Sequence, residues 1–265
     1  GRVKADYRVC AGDLVRIPPF RESDPGEPRP VPGRVREQLL ERIVYEDDDL
    51  LVIDKPSGLA VHGGSGLSFG LIESLRQMRP EAGYLELVHR LDRDTSGLIL
   101  VAKRAAALRD LHRQLRDKTV DKRYLALVGG SWPGDRQLVE APLQKNVLRS
   151  GERMVNVSRE GRHSVTEFSV VERFAEATLV EARPVTGRTH QIRVHARHVG
   201  CPLLGDDKYS DDDTRLYARS IGLRRLFLHA SKLAFTARSG ATLALEAPLD
   251  DELEKVLENI RNLLI

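Results

Sequence analysis

Short apolar segments separated by charged turns run through most of the 265-residue chain. Ile43-Val44-Tyr45 and Leu50-Leu51-Val52-Ile53 flank the acidic knot Glu46-Asp47-Asp48-Asp49 and predict a hairpin. Leu98–Ala102, Tyr124–Val128, Val165–Val171 and Thr178–Ala182, rich in Val, Leu and alternation, predict further strands. Two segments switch to helical spacing. Ala105–Arg116 sets Leu108, Leu111 and Leu115 on one stripe and Arg109, Arg113 and Arg116 on another. Asp251–Leu264 gathers Leu253, Val256, Leu257, Ile260 and Leu264 on one face. Asp250 is placed to cap it, and acids follow at the helix's positive end. Strands with interspersed helices, lacking regular βαβ alternation, predict an α+β fold. Its centre is a mixed, largely antiparallel sheet with flanking helices.

Residues 17–36 interrupt this pattern with six prolines and many charges, the composition of a linker. The division that follows is a short leading piece, residues 1–18, a Pro-rich linker, 19–38, and one large domain, 39–265. Charged residues make up 31% and hydrophobic ones 41%, ordinary for a globular protein, and no apolar run is long enough to span a bilayer. The opening GRVKADYRVC has neither the basic start nor the apolar core of a secretory signal. Cys10 and Cys201 lie far apart without metal-like spacing, which fits a reducing cytoplasm.

Net charge is only +3, so total charge does not announce a polyanion partner; its distribution says more. Arg183 to His198 carries four Arg and three His with no acid, and Lys103 to Arg123 has eight basic residues against three acids. Either segment alone reads as a solvated face, but together they suggest a specific polyanion surface. Three motif readings fail. GGSGLSFG, Gly63–Gly70, lacks dinucleotide spacing and the Lys-Ser/Thr of a phosphate loop, so a flexible loop is the better reading. His195-x-x-His198 has no carboxylate or thiolate to complete a metal site and is interleaved with Arg. HRLDRD lacks the companion motifs of a kinase catalytic loop.

What survives is His89-Arg90-Leu91-Asp92-Arg93-Asp94-Thr95-Ser96-Gly97, a charged cluster at the mouth of an apolar strand. An isolated Asp-x-Asp-Thr-Ser-Gly is usually a hydrogen-bonded turn. Here it resembles the catalytic motif of the pseudouridine synthases that modify large-subunit ribosomal RNA and some tRNAs. Lys55-Pro56-Ser57-Gly58 resembles that family's first motif, and Lys122-Arg123-Tyr124-Leu125-Ala126 the strand bearing its tyrosine. Gly187-Arg188-Thr189-His190-Gln191-Ile192-Arg193-Val194-His195 resembles its third motif. The four motifs stand in the family's order over residues 43 to about 236. Gly1–Pro18 is similar to the closing hairpin of an S4 RNA-binding module, of which only this C-terminal remnant is present.

The resemblance implies a pseudouridine synthase fold and an isomerase acting on uridine in large-subunit (23S) ribosomal RNA, as a cytoplasmic monomer without membrane partners. Uracil is detached from its sugar, rotated and rejoined through carbon. Substrate and product are isomers, so stoichiometry calls for no cofactor and no metal. By resemblance Asp92 attacks the sugar or the base, or abstracts a sugar proton, and Arg193 is the cation that holds it ionised in a dry pocket. Tyr124 stacks on the extruded uracil, while Arg90 fills the gap the base leaves in the RNA stack. Arg188 and His190 touch phosphate or shape the pocket, Lys55 is a structural or phosphate contact, and Ile192 and Val194 form an apolar floor. His89, Asp94 and His229 support the site from behind. The rivals are a noncatalytic RNA-binding protein with the same fold, disfavoured by the intact Asp92, Tyr124 and Arg193, and an Asp-dependent glycosidase, which would need a second carboxylate.

Overall fold

The computed structural model describes residues 7, 10–14, 30–63, 69–147 and 153–262. Its first half runs α1 (Gly33–Glu41), β1 (Ile43–Glu46), β2 (Leu50–Lys55), α2 (Leu71–Met78), β3 (Glu86–Leu87), β4 (Ser96–Ala102), α3 (Ala105–Arg116), β5 (Asp121–Gly129) and β6 (Arg136–Glu140). There follow β7 (Leu143–Val147), β8 (Arg153–Val157), β9 (Val165–Arg173), β10 (Ala177–Pro184), α4 (Gln191–His198), α5 (Asp212–Ser220), β11 (Leu228–Thr236), β12 (Thr242–Glu246) and α6 (Asp251–Asn262). Ten strands form one sheet in the order β1-β2-β4-β11-β5-β10-β9-β6, with β3 on β4 and β12 on β11. β4 and β11 run parallel, whereas the other described neighbours are antiparallel. The mixed sheet and flanking helices are the α+β arrangement expected from the sequence.

Period-two alternation sorts the central strands' side chains onto two faces. Leu51 and Ile53 of β2, Ile99 and Val101 of β4, and Tyr124, Ala126 and Val128 of β5 enter one core, with Leu39 of α1, Leu71 and Leu75 of α2, and Ile192 of α4. The intervening Leu50, Val52, Leu98 and Leu100 enter the opposite core against Ala107 and Leu111 of α3. Further along that second face Leu127 and Leu179 meet Leu253, Val256, Leu257 and Ile260 of α6. Each such fully buried aliphatic side chain contributes about 1.5–3 kcal/mol. An exposed ion pair of the Arg76–Glu86 kind contributes roughly 1 kcal/mol or less. β4 is buried along its whole length, which explains its continuous apolar sequence.

The predicted hairpin is β1–β2, and α3 has the expected bounds. Asp250 caps α6 as expected, accepting Leu253 N–H at 3.2 Å; Leu264 lies outside the described residues. The linker expected over 19–38 ends earlier than its composition suggested, because Gly33 onward is helical. The last proline of the run is Pro32, and once φ is no longer fixed and N–H groups return, a helix can start and bury Leu39. Most of the linker, most of the leading piece and residues 64–68 of the Gly63–Gly70 loop lie outside the described residues. No described helix is long and apolar enough to cross a membrane.

One close approach fixes the centre of the sheet. Gly97 opens β4 with φ +105°, and a Cβ there would lie 2.4 Å from the Ala230 carbonyl oxygen of β11. Only glycine lets β4 and β11 pair in register at Ser96–His229 and Gly97–Ala230. The loop that precedes β4 is thereby delivered to the middle of the sheet, beside β5.

Candidate active site

The loop from His89 to Thr95 is held from below by the Lys55–Leu59 turn. Lys55 is fully buried, and its ammonium donates to the carbonyls of Pro56 and Leu59, both at 2.9 Å, and of Arg93 at 3.0 Å. Ser57 Oγ donates to the Asp94 carbonyl at 2.8 Å, and Gly58 N–H to that of Arg93 at 2.9 Å. Burial pulls the Lys55 ammonium down to about 7, with Asp94 and Asp92 opposing that shift. Of the two parts open to Lys55, structural or phosphate contact, the geometry fits the structural one and not the RNA contact. A cation whose three N–H groups end on backbone carbonyls is a staple between two loops, out of reach of phosphate.

The staple leaves Asp92 projecting into a cleft of about 760 Å³. Its carboxylate is 30% exposed and meets two groups of α4's wall: Arg193 Nη1 at 3.4 Å and His190 Nε2 at 3.7 Å. The guanidinium's two-pronged contact goes elsewhere. Arg193 Nε and Nη2 both donate at 2.7 Å to Asp206, whose side chain has no exposed surface. The sequence reading took Arg193 chiefly as the partner of Asp92. In the fold its fork is clamped by Asp206, and only the remaining prong faces Asp92. Asp206 also accepts the N–H groups of Lys208 and Tyr209, so a turn fixes it in turn. Burial would lower the Arg193 pKa, but the hydrogen bonds and charge of Asp206, followed by the charge of Asp92, hold it above its ordinary value.

His190 caps α4 in the left-handed region, φ 52° and ψ 21°. Tyr209 lies behind it, accepting Val155 N–H at 3.0 Å and standing 2.7 Å from His190 Nδ1. When the phenol donates to Nδ1, the neutral ring's proton is on Nε2, toward Asp92. Burial lowers the His190 pKa, against the pull of Asp92. The loop before α4 is pinned by Gln191, which receives Thr186 Oγ1 and Arg188 N–H and donates to the Val165 carbonyl and Thr166 Oγ1.

The facing wall is β5. Tyr124 is buried to 8% exposure against Ile192's core, and its hydroxyl has no partner among the described residues. Burial raises its pKa and the charge of Asp92 adds to that, so it is a phenol rather than a phenolate at neutral pH. Arg90, Arg116, Lys118, Lys122, Arg183, Arg188 and Arg193 line the cleft, against Asp92, Asp121 and Glu167. Arg90 and Arg188 are exposed at its rim; Arg188 Nε reaches the His163 carbonyl at 3.2 Å.

Several expected residues stand elsewhere. Ile192 lines the cleft, but Val194 packs with Leu143, Val155 and Tyr209. The motif is helical, and successive side chains diverge by about 100° on a helix, so Ile192 and Val194 cannot share one floor. His229, expected to support the site from behind, holds the start of β4: Nδ1 is 2.9 Å from Ser96 Oγ and Nε2 3.1 Å from the Ala247 carbonyl. The Asp94 carboxylate pairs with Arg93 at 3.0 Å rather than with any cleft group. His89 accepts Leu100 N–H on Nε2 at 3.2 Å and lines the cleft; burial, with Lys122's charge, pushes it down to about 3. His195 spends both ring nitrogens on Thr166 Oγ1 and the Ala141 carbonyl. Asp206 and Tyr209 were missed. Their only signal was a Gly-Asp-Asp turn, and nothing in it distinguishes the buried Asp206 from Asp207.

Residues 49–198 match the sequence model of a family described as RNA pseudouridylate synthase. Ribosomal large subunit pseudouridine synthase C of Pasteurella multocida is 55% identical over 264 residues, spanning 98% of this chain and 81% of that protein. The protein of the same name from Escherichia coli K12 is 55% identical over 265 residues, 98% of this chain and 83% of its own. Among solved structures, human RNA pseudouridylate synthase domain containing 4 superposes with a TM-score of 0.71 at 28% identity, covering 86% of this chain and 96% of that one. Human RNA pseudouridylate synthase domain containing 1 does so at 0.66 and 26%, covering 83% and 94%.

Proposed function

The chain belongs to the RNA pseudouridylate synthase family, and from the build of its cleft we infer how it isomerises uridine to pseudouridine in large-subunit ribosomal RNA. The observation that carries the reading is one basic-rimmed cleft lined by the Asp92 carboxylate, the Tyr124 ring and the Arg193 guanidinium. Asp92 is the group that engages the target nucleoside. Arg193 Nη1 and His190 Nε2 face its Oδ2 at 3.4 and 3.7 Å, so a cation and a polar ring nitrogen flank the carboxylate. Because Asp206 clamps the rest of the guanidinium, that cation is already aimed before substrate arrives.

A base inside an RNA helix is out of reach of Asp92, so the uridine must be extruded at a cost of a few kcal/mol. Arg90, exposed at the rim two residues before Asp92, is placed to occupy the vacated stack. Tyr124 and Ile192 supply the aromatic and apolar surfaces on which uracil rests. Arg188 meets RNA phosphate from the other side. Lys55, His89 and His229 act by holding loops and strands, and no step is assigned to Asp94. The Cys10–Asp13 turn, closed by Asp13 N–H to the Cys10 carbonyl at 3.1 Å, supports reading residues 1–18 as the closing hairpin of an S4 module. The compartment that fits this substrate is the cytoplasm.

The test is Asp92→Asn, which keeps the shape and loses the charge. Large-subunit rRNA from cells lacking the enzyme is incubated with either form. Its pseudouridines are then tagged chemically and mapped by reverse-transcriptase stops. The variant should bind RNA and melt like the parent while forming pseudouridine at least about 10³-fold more slowly. Equal modification by both forms would falsify the assignment.

A further inference from the structure

The other buried or half-buried cations named around the site have their acceptors built in: Arg193 has Asp206, Lys55 has three carbonyls, and Arg225 has Asp250. Lys122 does not. It lines the cleft two residues before Tyr124 on β5, hence on the same face of that strand, and has neither hydrogen bond nor ion pair among the described residues. Its Nζ crosses toward the loop before α4, 3.9 Å from where a Cβ on Gly187 would stand. The nearby carboxylate on its own strand is already committed. Asp121 is held by Arg123 at 2.9 Å and Arg183 at 2.6 Å. Glu167, the other acid on this side, pairs with Arg183 at 2.9 Å.

Two more cations continue from Lys122 along the α3–β5 connection. Arg116 and Lys118 line the same cleft, are exposed, and have no partner among the described residues. Lys118 sits just past the end of α3 with φ +59°, where Thr119 N–H returns to the Gln114 carbonyl at 3.0 Å. Glycine is the residue that takes such a position without strain, so a lysine is retained there at a cost in stability.

We propose that Lys122 receives a backbone phosphate of the RNA strand adjoining the extruded uridine, and that Lys118 and Arg116 lead the following phosphates out of the cleft. This deepens the functional reading above and rests on it for the position of the base. Two residues of strand carry Lys122 about 6.6 Å from Tyr124, so it reaches past the stacked ring rather than onto it. Burial lowers the Lys122 pKa, the expected consequence of a cation desolvated without a counter-charge. A phosphate supplies that charge only when RNA is bound.

The test compares Lys122→Met, Lys122→Arg and the pair Arg116→Ala/Lys118→Gly in affinity for a large-subunit rRNA transcript over a range of salt. One lost phosphate contact lowers the slope of log K against log salt by about 0.7–0.9, an affinity loss of about fivefold near 0.1 M salt. Lys122→Met should show that change, Lys122→Arg should restore it, and the double variant should lower the slope further. Lys122→Met and Lys118→Gly should melt no lower than the parent, because neither breaks a contact within the protein. An unchanged slope in Lys122→Met, with a slower rate at saturating RNA, would mean that Lys122 touches the uracil and would overturn the proposal. A lowered melting point with unchanged slope would assign it a structural part and overturn it too. If the parent itself made no pseudouridine yet the slope changed, the phosphate contact would stand and the functional reading would fall.

Discussion

On the α4 side of the cleft the polar groups that matter are tied into the protein, whereas on the β5 side they are not. Arg193, Asp206, Tyr209 and His190 form a hydrogen-bonded assembly that turns Arg193 Nη1 and His190 Nε2 toward Asp92. Across from it, the Tyr124 hydroxyl and the Lys122 ammonium have no partner among the described residues. The first wall pre-sets charge and direction around the carboxylate, so no reorganisation is needed when the reaction starts. The second leaves affinity unsatisfied until RNA supplies an aromatic face and a phosphate. A saturated wall is costly to damage; an unsaturated one is costly only to binding.

The largest effect should come from opening the saturated wall. Asp206→Ala strands a buried guanidinium, and the expected loss is about 3–5 kcal/mol in urea-unfolding measurements. The pair Arg193→Met/Asp206→Leu removes both charges and should recover most of that stability, yet stay inactive, because nothing then faces Asp92. Turnover by the doubly substituted protein would show that the cation is dispensable. Arg193→Lys should lose activity as well, but through the lost fork to Asp206 rather than a fork to Asp92.

On the unsaturated wall the effects should be kinetic. Tyr124→Ala removes a stacking surface worth about 1–3 kcal/mol per base, so kcat/KM should fall roughly 5- to 150-fold, and because the ring is also buried in the core, Tm should fall with it. Tyr124→Phe should keep RNA affinity, and any loss confined to kcat would assign a part in proton movement to the hydroxyl. A fall in stability of Tyr124→Phe comparable to that of Asp206→Ala would erase the contrast between the walls.

The last effect shows only on acidification and concerns His89, on the loop that bears Asp92. In the folded protein it stays neutral down to about pH 3, whereas an unfolded histidine takes a proton near pH 6.5. Between those values acid favours the unfolded chain, so this group's share of stability is whole above pH 6.5 and drains away as pH falls toward 3. His89→Gln should flatten that slope in Tm against pH. A parallel slope in both proteins would mean that His89 takes up its proton in the fold.

Periodic segments were legible because burial repeats at the spacing of the element. β4 and β5 could be read from runs of Leu and Val, and α3 and α6 from Leu at three- and four-residue intervals. α4 could not be read that way: QIRVHARH mixes cations with apolar residues all round, since most of its faces are enclosed by other elements and its buried polar side chains, Gln191, Arg193 and His195, each find a partner. Lys55 stayed open between a structural part and a phosphate contact for a related reason: only the fold shows three carbonyls converging on it.

The chain by itself therefore determined the class of fold, through local spacing, and, through the resemblance of its motifs to a family, the loop that bears Asp92 and the strand and motif that bear Tyr124 and Arg193. Only the tertiary structure decided which carboxylate takes the guanidinium's fork, which histidine nitrogen faces Asp92, and which lysine is left without an acceptor. Those are matters of a few ångströms between residues far apart in sequence. Hydrogen bonds and desolvation fall off over just such distances, and no pattern along a single strand or helix encodes them.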